Sequence, residues 1–264
     1  MHQPLRGKTV AVTGASRGLG KAIAERAAQE GANLILISRN EGKLAALKTE
    51  IENFYHVRAE YVALDVGKRD QIEEAFSRPP LRDAEIDVLV NNAGFGLFKS
   101  FEETPLEIAE AMFSVNVLGM MAMTKPVISK MKARGGGHII NIASQAGKIS
   151  TPKSSVYSAT KKAVLGFSDS LRMELAPYSI HVTTVNPGPI ATGFFDFADE
   201  SGEYLEKVGR WVLKPEEVAE RIVKSMVKPV REINLPSLMN AGAKLYNLFP
   251  GLSEKLARPL FDKK

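Results

Sequence analysis

Lys8-Thr9-Val10-Ala11-Val12-Thr13 is a short β-prone run that passes straight into Gly14-Ala15-Ser16-Arg17-Gly18-Leu19-Gly20 and then into a helix-forming segment, Lys21 to Glu30. A strand that turns on glycines and re-emerges as a helix presents open backbone amides at a positive helix end, the setting in which phosphates bind. Gly14 permits the turn, Gly18 lets the backbone approach a pyrophosphate, and Gly20 allows close helix–strand packing. The spacing is G-x-x-x-G-x-G rather than the more familiar G-x-G-x-x-G, and a plain turn is the alternative; placement at the first strand–helix junction favours the cofactor loop. The alternation then repeats. Strands are predicted at Asn33–Ser38, Glu60–Val66, Asp87–Asn91, Ile139–Ala143 and Ile180–Asn186, with helices at Gly42–Asn53, Arg69–Ser77, Pro105–Arg134 and about Ser154–Leu175, and a further one from Pro215. Apolar strands separated by helices imply an α/β fold, a doubly wound parallel sheet covered on both faces. Ligands in such sheets bind beyond the carboxyl ends of the strands, where the glycine loop, Arg39, Asp65, Asn91, Ser144 and Pro187 all fall.

With 264 residues the chain is long enough for one large domain, 1–264, and it contains no linker-like tract, repeat or low-complexity run. The first residues lack the apolar core of a signal peptide, and no contiguous apolar run approaches the roughly 20 residues of a membrane span. The absence of cysteine excludes disulfides and thiolate catalysis and fits a reducing, cytoplasmic setting. His2, His56, His138 and His181 are isolated, so no metal site is expected. The net charge of +5 is spread along the chain, whereas a nucleic-acid-binding stripe would cluster it.

The end of strand two reads Ser38-Arg39-Asn40. An acid there would bond a ribose 2′-hydroxyl and favour NAD, while arginine accommodates the 2′-phosphate of NADP. Arg17, in the glycine loop, can reach the same group, and a guanidinium binds phosphate through two parallel hydrogen bonds. Two solvated arginines are the plainer alternative; their joint placement favours NADP(H) over NAD(H). Farther along, Tyr157-Ser158-Ala159-Thr160-Lys161 puts a phenol and an ammonium one helical turn apart. The ammonium favours the phenolate and draws the tyrosine pKa toward the working range. Ser144, at the end of the preceding strand, can donate to a substrate oxygen beside Tyr157. Asn116 is a polar residue in the apolar stretch Phe113–Val117; it either mends a helix kink, serves the chemistry, or does both.

These motifs together resemble the classical short-chain dehydrogenases/reductases, from about Lys8 to Leu235: TGASRGLG at 13–20, NNAG at 91–94, Asn116, Ser144, Tyr157 with Lys161, and PGPIAT at 187–192. The resemblance implies a Rossmann fold of seven strands in the order 3-2-1-4-5-6-7. It also implies a catalytic tetrad of Asn116, Ser144, Tyr157 and Lys161. The implied cofactor contacts are Gly14, Ser16, Arg17, Gly18, Leu19 and Gly20 in the loop and Ser38 and Arg39 after strand two. Asp65 and Val66 fall at the adenine, and Asn91, Ala93 and Gly94 at the ribose and nicotinamide side. Tyr157 and Lys161 contribute again, and Pro187, Gly188, Ile190 and Thr192 fall near the carboxamide. The implied reaction is hydride transfer between a nicotinamide and a carbonyl or secondary alcohol. A homo-dimer or homo-tetramer built through the helices holding Asn116 and Tyr157 is implied as well.

Two regions depart from the family pattern or leave it open. The segment 193–214 carries Phe194, Phe195, Phe197, Tyr204 and Trp211 and is expected to be a substrate lid for an apolar or bulky ketone, with at least two of these rings only packing the lid. At the final strand Glu232-Ile233-Asn234-Leu235-Pro236 stands where many members have a Val-Asp-Gly-Gly type sequence, and an extension, 237–264, follows. This ending is nearer the hydroxysteroid-dehydrogenase-like and uncharacterised bacterial reductase branches. Leu238, Leu245, Phe249, Leu252, Leu256 and Leu260 recur there at roughly helical spacing, either packing on the chain or a second copy or making a peripheral membrane contact. Besides a reductase, the fold would also suit a non-catalytic NADP-binding scaffold, or an isomerase or dehydratase that does not consume its cofactor.

Overall fold

The computed structural model describes residues 3–199, 209–251 and Lys255. Its strands are β1 (Thr9–Thr13), β2 (Asn33–Ser38), β3 (Ala59–Ala63), β4 (Val88–Asn91), β5 (Gly137–Ile142), β6 (Ile180–Pro187) and β7 (Glu232–Leu235). They form one parallel sheet in the order β3-β2-β1-β4-β5-β6-β7. The helices are α1 (Gly18–Gln29), α2 (Glu41–Tyr55), α3 (Arg69–Ser77), α4 (Leu106–Phe113), α5 (Met120–Arg134), α6 (Ser155–Leu175), the short α7 (Phe195–Ala198), α8 (Pro215–Val227) and α9 (Ser237–Leu248).

Successive strand side chains point to opposite faces, so each strand feeds two cores. Val10, Val12, Leu34 and Leu36 pack under α1, α2 and α8, which contribute Ile23, Leu44, Ile51 and Ile222. Ala11, Ile35, Ile37, Leu89 and Ile139 face the other way, onto Ile72 of α3, Met123 and Val127 of α5 and Leu171 of α6. Strand three stops earlier than the apolar run suggests. The backbone N–H of Asp65 donates to Gln71 Oε1 at 2.8 Å and the Asp65 carboxylate accepts from Gly67 N at 2.9 Å, so the chain turns before it can extend the ladder.

The run from 106 to 134 is a continuous helix in which α4 and α5 are joined by a wider π turn, Ser114–Gly119. By length and apolarity this helix matches a membrane span. Unlike a contiguous apolar run, it mixes in polar residues, and its apolar side is a core face: Met112, Val117, Met123, Val127 and Met131 are all buried. Its last turns also tie down the preceding loop, since Lys130 Nζ donates to the carbonyls of Leu81 and Ala84 and Arg134 to that of Ile86.

Beyond β7, α9 buries Ala243 but leaves Leu238, Leu245 and Leu248 exposed, followed by exposed Phe249. Leu252, Leu256 and Leu260, part of the expected stripe, lie outside the described residues.

His138 on β5 is buried and bonded through Nε2 to Thr183 Oγ1 at 2.8 Å, with no partner at Nδ1 among the described residues. Burial, helped by the neighbouring His181, lowers its pKa from 6.5 to about 3. The unfolded chain therefore takes up a proton that the folded chain refuses, and stability falls as pH drops from 6.5 toward 3. We expect unfolding free energies measured in urea at pH 7 and pH 5 to show the wild type losing about 2 kcal/mol more than His138→Asn over that interval. Parallel pH dependences would contradict it.

Candidate active site

A cavity of about 830 Å³ opens at the carboxyl ends of the strands, and the segments that follow β1 to β6 all contribute to its wall. Gly14, with φ +68°, and Gly20 shape the first loop: a Cβ on Gly20 would lie 2.2 Å from the Gly14 carbonyl oxygen, so α1 can start against the loop only with glycine there. Arg17 sits at the N-cap of α1 without capping it, and the first turn carries no acid. The positive helix end is thus left facing the cavity wall of Ser16, Arg17, Gly18 and Leu19, a fit for a pyrophosphate.

The same end of the cavity is basic. Arg39 is exposed at the rim, 4.0 Å from the Asp65 carboxylate. Ser38 Oγ accepts from Asn40 N at 3.3 Å, and Asn40 in turn caps α2 by accepting from Lys43 N at 2.9 Å. Lys43 lines the cavity together with Arg17 and Arg39. Sequence reasoning passed over Lys43, although an Asn cap three residues before it placed it in the first turn of a helix beside the glycine loop. Val66 and Asp65 complete this wall.

The loop after β4 is fastened to the glycine loop. Thr13 Oγ1 accepts from the backbone N–H groups of both Asn92 and Ala93 at 3.0 Å, and Asn92 Nδ2 donates to Thr13 O at 3.0 Å. This presents Ala93 and Gly94 to the cavity. A Cβ on Gly94 would approach Asn116 Oδ1 to 3.0 Å and Lys161 Nζ to 3.5 Å, so glycine keeps the floor open. Asn91 differs from expectation. Its side chain turns into the layer beneath α5, where Nδ2 donates to Thr124 Oγ1 at 2.9 Å and Asn141 Oδ1 at 2.8 Å. Strand alternation directs it there, away from the cavity lined by its neighbour Asn92.

At the other end, α6 brings Tyr157 and Lys161 to the cavity wall one turn apart, both buried. Lys161 Nζ donates to the carbonyl of Ile142, the last residue of β5, at 2.9 Å and lies 5.8 Å from the centre of the Tyr157 ring. Burial lowers its pKa from 10.5 to about 8. Ser144 Oγ accepts from Ala146 N at 3.1 Å and stands 3.4 Å from the carbonyl of Pro187. Asn116 lies in the π turn and contributes no side-chain surface to the cavity. Its amide bridges two walls: Oδ1 accepts from Phe95 N at 3.0 Å, while Nδ2 donates to Phe95 O at 2.8 Å and Thr160 Oγ1 at 3.1 Å. Thr160 Oγ1 closes back on the Tyr157 carbonyl at 2.7 Å. The irregular turn thus carries an amide that ties the Phe95 loop to α6 and does not bond to the helix backbone of the turn itself.

Pro187, Gly188, Ile190 and Thr192 line the mouth between these ends, and Ile190 pairs with Leu213 in an isolated bridge. The Tyr157 ring is boxed by Phe98, edge-on at 5.6 Å between centroids, and by Phe194 at 5.8 Å. Phe195 also lines the cavity, whereas Phe197 is absent from its wall and packs on Phe95 instead. Trp211 sits in a short turn away from the cavity wall, and Tyr204 lies outside the described residues. Phe98 went unnoticed in the sequence because it falls between the motif at 91–94 and α4, with no periodicity to mark it.

A dinucleotide-binding cradle at one end of a cavity and a buried tyrosine–lysine pair at the other define a nicotinamide-dependent oxidoreductase acting on carbonyls or alcohols. The chain belongs to the short-chain dehydrogenase family, whose model matches residues 8–201. It is 36% identical over 231 residues to 3-dehydrosphinganine reductase of Danio rerio, covering 85% of this chain and 70% of that protein. Among solved structures it resembles a short-chain dehydrogenase from Sphingobium yanoikuyae in complex with NADPH, with TM-score 0.81, 26% identity and 97% and 98% coverage of the two chains. It also resembles a 3-oxoacyl-[acyl-carrier protein] reductase from Brucella melitensis with bound NAD, with TM-score 0.77, 28% identity and 89% and 92% coverage.

The Lys161 pKa sets a testable pH response. The charged form is disfavoured by burial, so the unfolded chain holds this proton more tightly between pH 8 and 10.5 and the stability of the cofactor-free protein gains from this group as pH rises through that window. Activity is expected to run the other way if the ammonium is the form that assists Tyr157. We expect kcat/KM for reduction to fall above about pH 8. A pH–rate profile that stays flat to pH 10 would refute it.

Proposed function

We propose that the protein is an NADP(H)-dependent reductase of an apolar or bulky ketone. One observation carries this reading: a single cavity has Arg17, Arg39 and Lys43 at one end and Tyr157 boxed by Phe98 and Phe194 at the other. Three cations suit a 2′-phosphate, which a strand-end acid would repel. When bound, the nicotinamide supplies the hydride. Tyr157 gives its phenol proton to the nascent alkoxide, and Ser144 donates a hydrogen bond to the same oxygen. Lys161 stabilises the phenolate left behind. It is held for that purpose by the Ile142 carbonyl. Asn116 keeps the Phe95 loop and α6 in register. Phe98 and Phe194 exclude water around Tyr157 and offer an apolar substrate a matching wall. The relative from Danio rerio, by its name, reduces 3-dehydrosphinganine, which is consistent with a ketone substrate here.

The outer faces of the helices support a homo-oligomer, since Leu106, Phe113 and Leu118 are exposed on the 106–134 helix and Met173 on α6. The exposed stripe Leu238, Leu245, Leu248 and Phe249 on and after α9 supports a peripheral membrane contact, because Met239 on the same helix lines the cavity. We expect the intact protein to float with anionic liposomes and a form truncated after Pro236 to stay behind; equal flotation would remove the membrane reading.

The reaction itself is tested by following nicotinamide oxidation with a panel of ketones. Tyr157→Phe should lose at least about 10²-fold in kcat while still quenching or shifting NADPH fluorescence on binding. NADPH should be preferred over NADH, and Arg17→Ala or Arg39→Ala should raise KM for NADPH about 10-fold or more with little effect on NADH. Undiminished turnover in Tyr157→Phe would overturn the mechanism, and would favour a use of the fold in which the tyrosine takes no part.

A further inference from the structure

Behind Ser144 the polar groups form a closed ring that the reaction chemistry does not use. Gln145 Nε2 donates to the carbonyl of Asn186 at 2.8 Å. Asn186 Nδ2 donates to Asn234 Oδ1 at 2.9 Å, and Asn234 Nδ2 donates to Glu232 Oε2 at 3.1 Å. Lys148 Nζ donates to the same Glu232 oxygen at 2.5 Å, and the Lys148 backbone N–H returns to the carbonyl of Gln145 at 2.9 Å. The circuit joins the turn after β5 to the ends of β6 and β7, and Lys148 Nζ adds a long contact, 3.4 Å, to Asn240 Oδ1 on α9.

The ion pair at its centre is partly shielded, with 15% of the Lys148 side chain and 28% of the Glu232 side chain exposed. Burial works to raise the Glu232 pKa, but the hydrogen bonds from Lys148 and Asn234 and the charges of Lys148 and Arg231 outweigh it, so the carboxyl stays ionised below the usual range. A shielded pair of this kind is weak evidence of net stabilisation, since desolvation offsets much of the attraction; fixing one geometry is its better-attested use. The geometry it can fix here is that of Ser144. The hydroxyl sits at the head of the turn Gln145–Gly147, held by Ala146 N and close to the carbonyl of Pro187. Gln145 and Asn186, the two neighbours of those contacts in sequence, are both members of the ring. Glu232 and Asn234 also stand in the stretch where this chain departs from the Val-Asp-Gly-Gly type ending, so the ring belongs to this chain's own version of the site.

We infer that the Lys148–Glu232 pair, through the ring Gln145–Asn186–Asn234–Glu232–Lys148, positions Ser144 for hydrogen bonding to the substrate oxygen and couples α9 to that position. This rests on the reductase reading above. Lys148 and Glu232 touch no reacting atom and are positioning residues.

The test uses Glu232→Gln and Lys148→Met in the full chain, each alone and combined with Ser144→Ala, with kcat, KM for NADPH and amide hydrogen exchange of Ala146 and Gly147 as readouts. We expect each single variant to lower kcat about 10- to 100-fold with KM for NADPH unchanged, and to speed exchange at both amides. In the Ser144→Ala background neither substitution should lower kcat further, because the hydroxyl it positions is gone. A kcat within twofold of wild type, unchanged amide exchange, or full multiplicative loss on top of Ser144→Ala would each overturn the inference. Should wild type itself turn over no ketone, the reductase reading falls, and the exchange readout still decides whether the ring holds the turn: unchanged rates at Ala146 and Gly147 would end the positioning claim as well.

Discussion

The site depends on keeping an ammonium ion where water is scarce. Lys161 is buried, and its hydrogen bond to the Ile142 carbonyl is what the structure offers in exchange for lost hydration. That bond requires β5 to end at Ile142 and α6 to run directly above it, which in turn requires the sheet order that places β5 between β4 and β6. The lowered pKa is the consequence: burial loosens the hold of Lys161 on its proton. Ser144 leaves the same strand end two residues later, so one strand terminus sets the positions of both Lys161 and Ser144.

Asn116 plays the matching part on the other wall. A side-chain amide with both its donors and its acceptor engaged is a rigid bracket, and this one spans the Phe95 loop and Thr160. The wide turn that carries it interrupts an otherwise regular helix of 29 residues. An interruption of that kind weakens the helix locally, so its presence is understandable where the bracket has something to hold, here the loop that forms the floor beneath the Tyr157–Lys161 pair.

Much of this was legible in the chain. The strand–turn–helix opening, the alternation that follows it and the four-residue spacing of Tyr157 and Lys161 depend on local geometry, and local geometry is what sequence periodicity reports. What escaped notice has a common physical cause. Asn91 was placed at the cavity by its motif, but its side-chain direction is settled by the strand's pleat and by partners 33 and 50 residues away on α5 and β5. Lys43 and Phe98 reach the cavity because elements distant in sequence converge there; the Asn40 cap marks Lys43 only as a first-turn residue, and no pattern around Phe98 signals it. The end of β3 was overrun for a related reason: Gln71 and Gly67 claim Asp65 from beyond the strand, and an apolar run cannot show that competition.

The polar ring behind Ser144 extends the same logic to the least predictable part of the chain. Its members come from three separate segments, 145–148, 186 and 232–234, and no local pattern shows that they meet. Each polar side chain in it would be a liability if its partners were absent, because a half-satisfied buried network costs more than an apolar one. The ring is therefore an all-or-nothing feature, in which each member is held only while its neighbours are in place. The backbone ladder between β6 and β7 already holds the last strand to the sheet, which leaves the side-chain ring to fix the turn that carries Ser144.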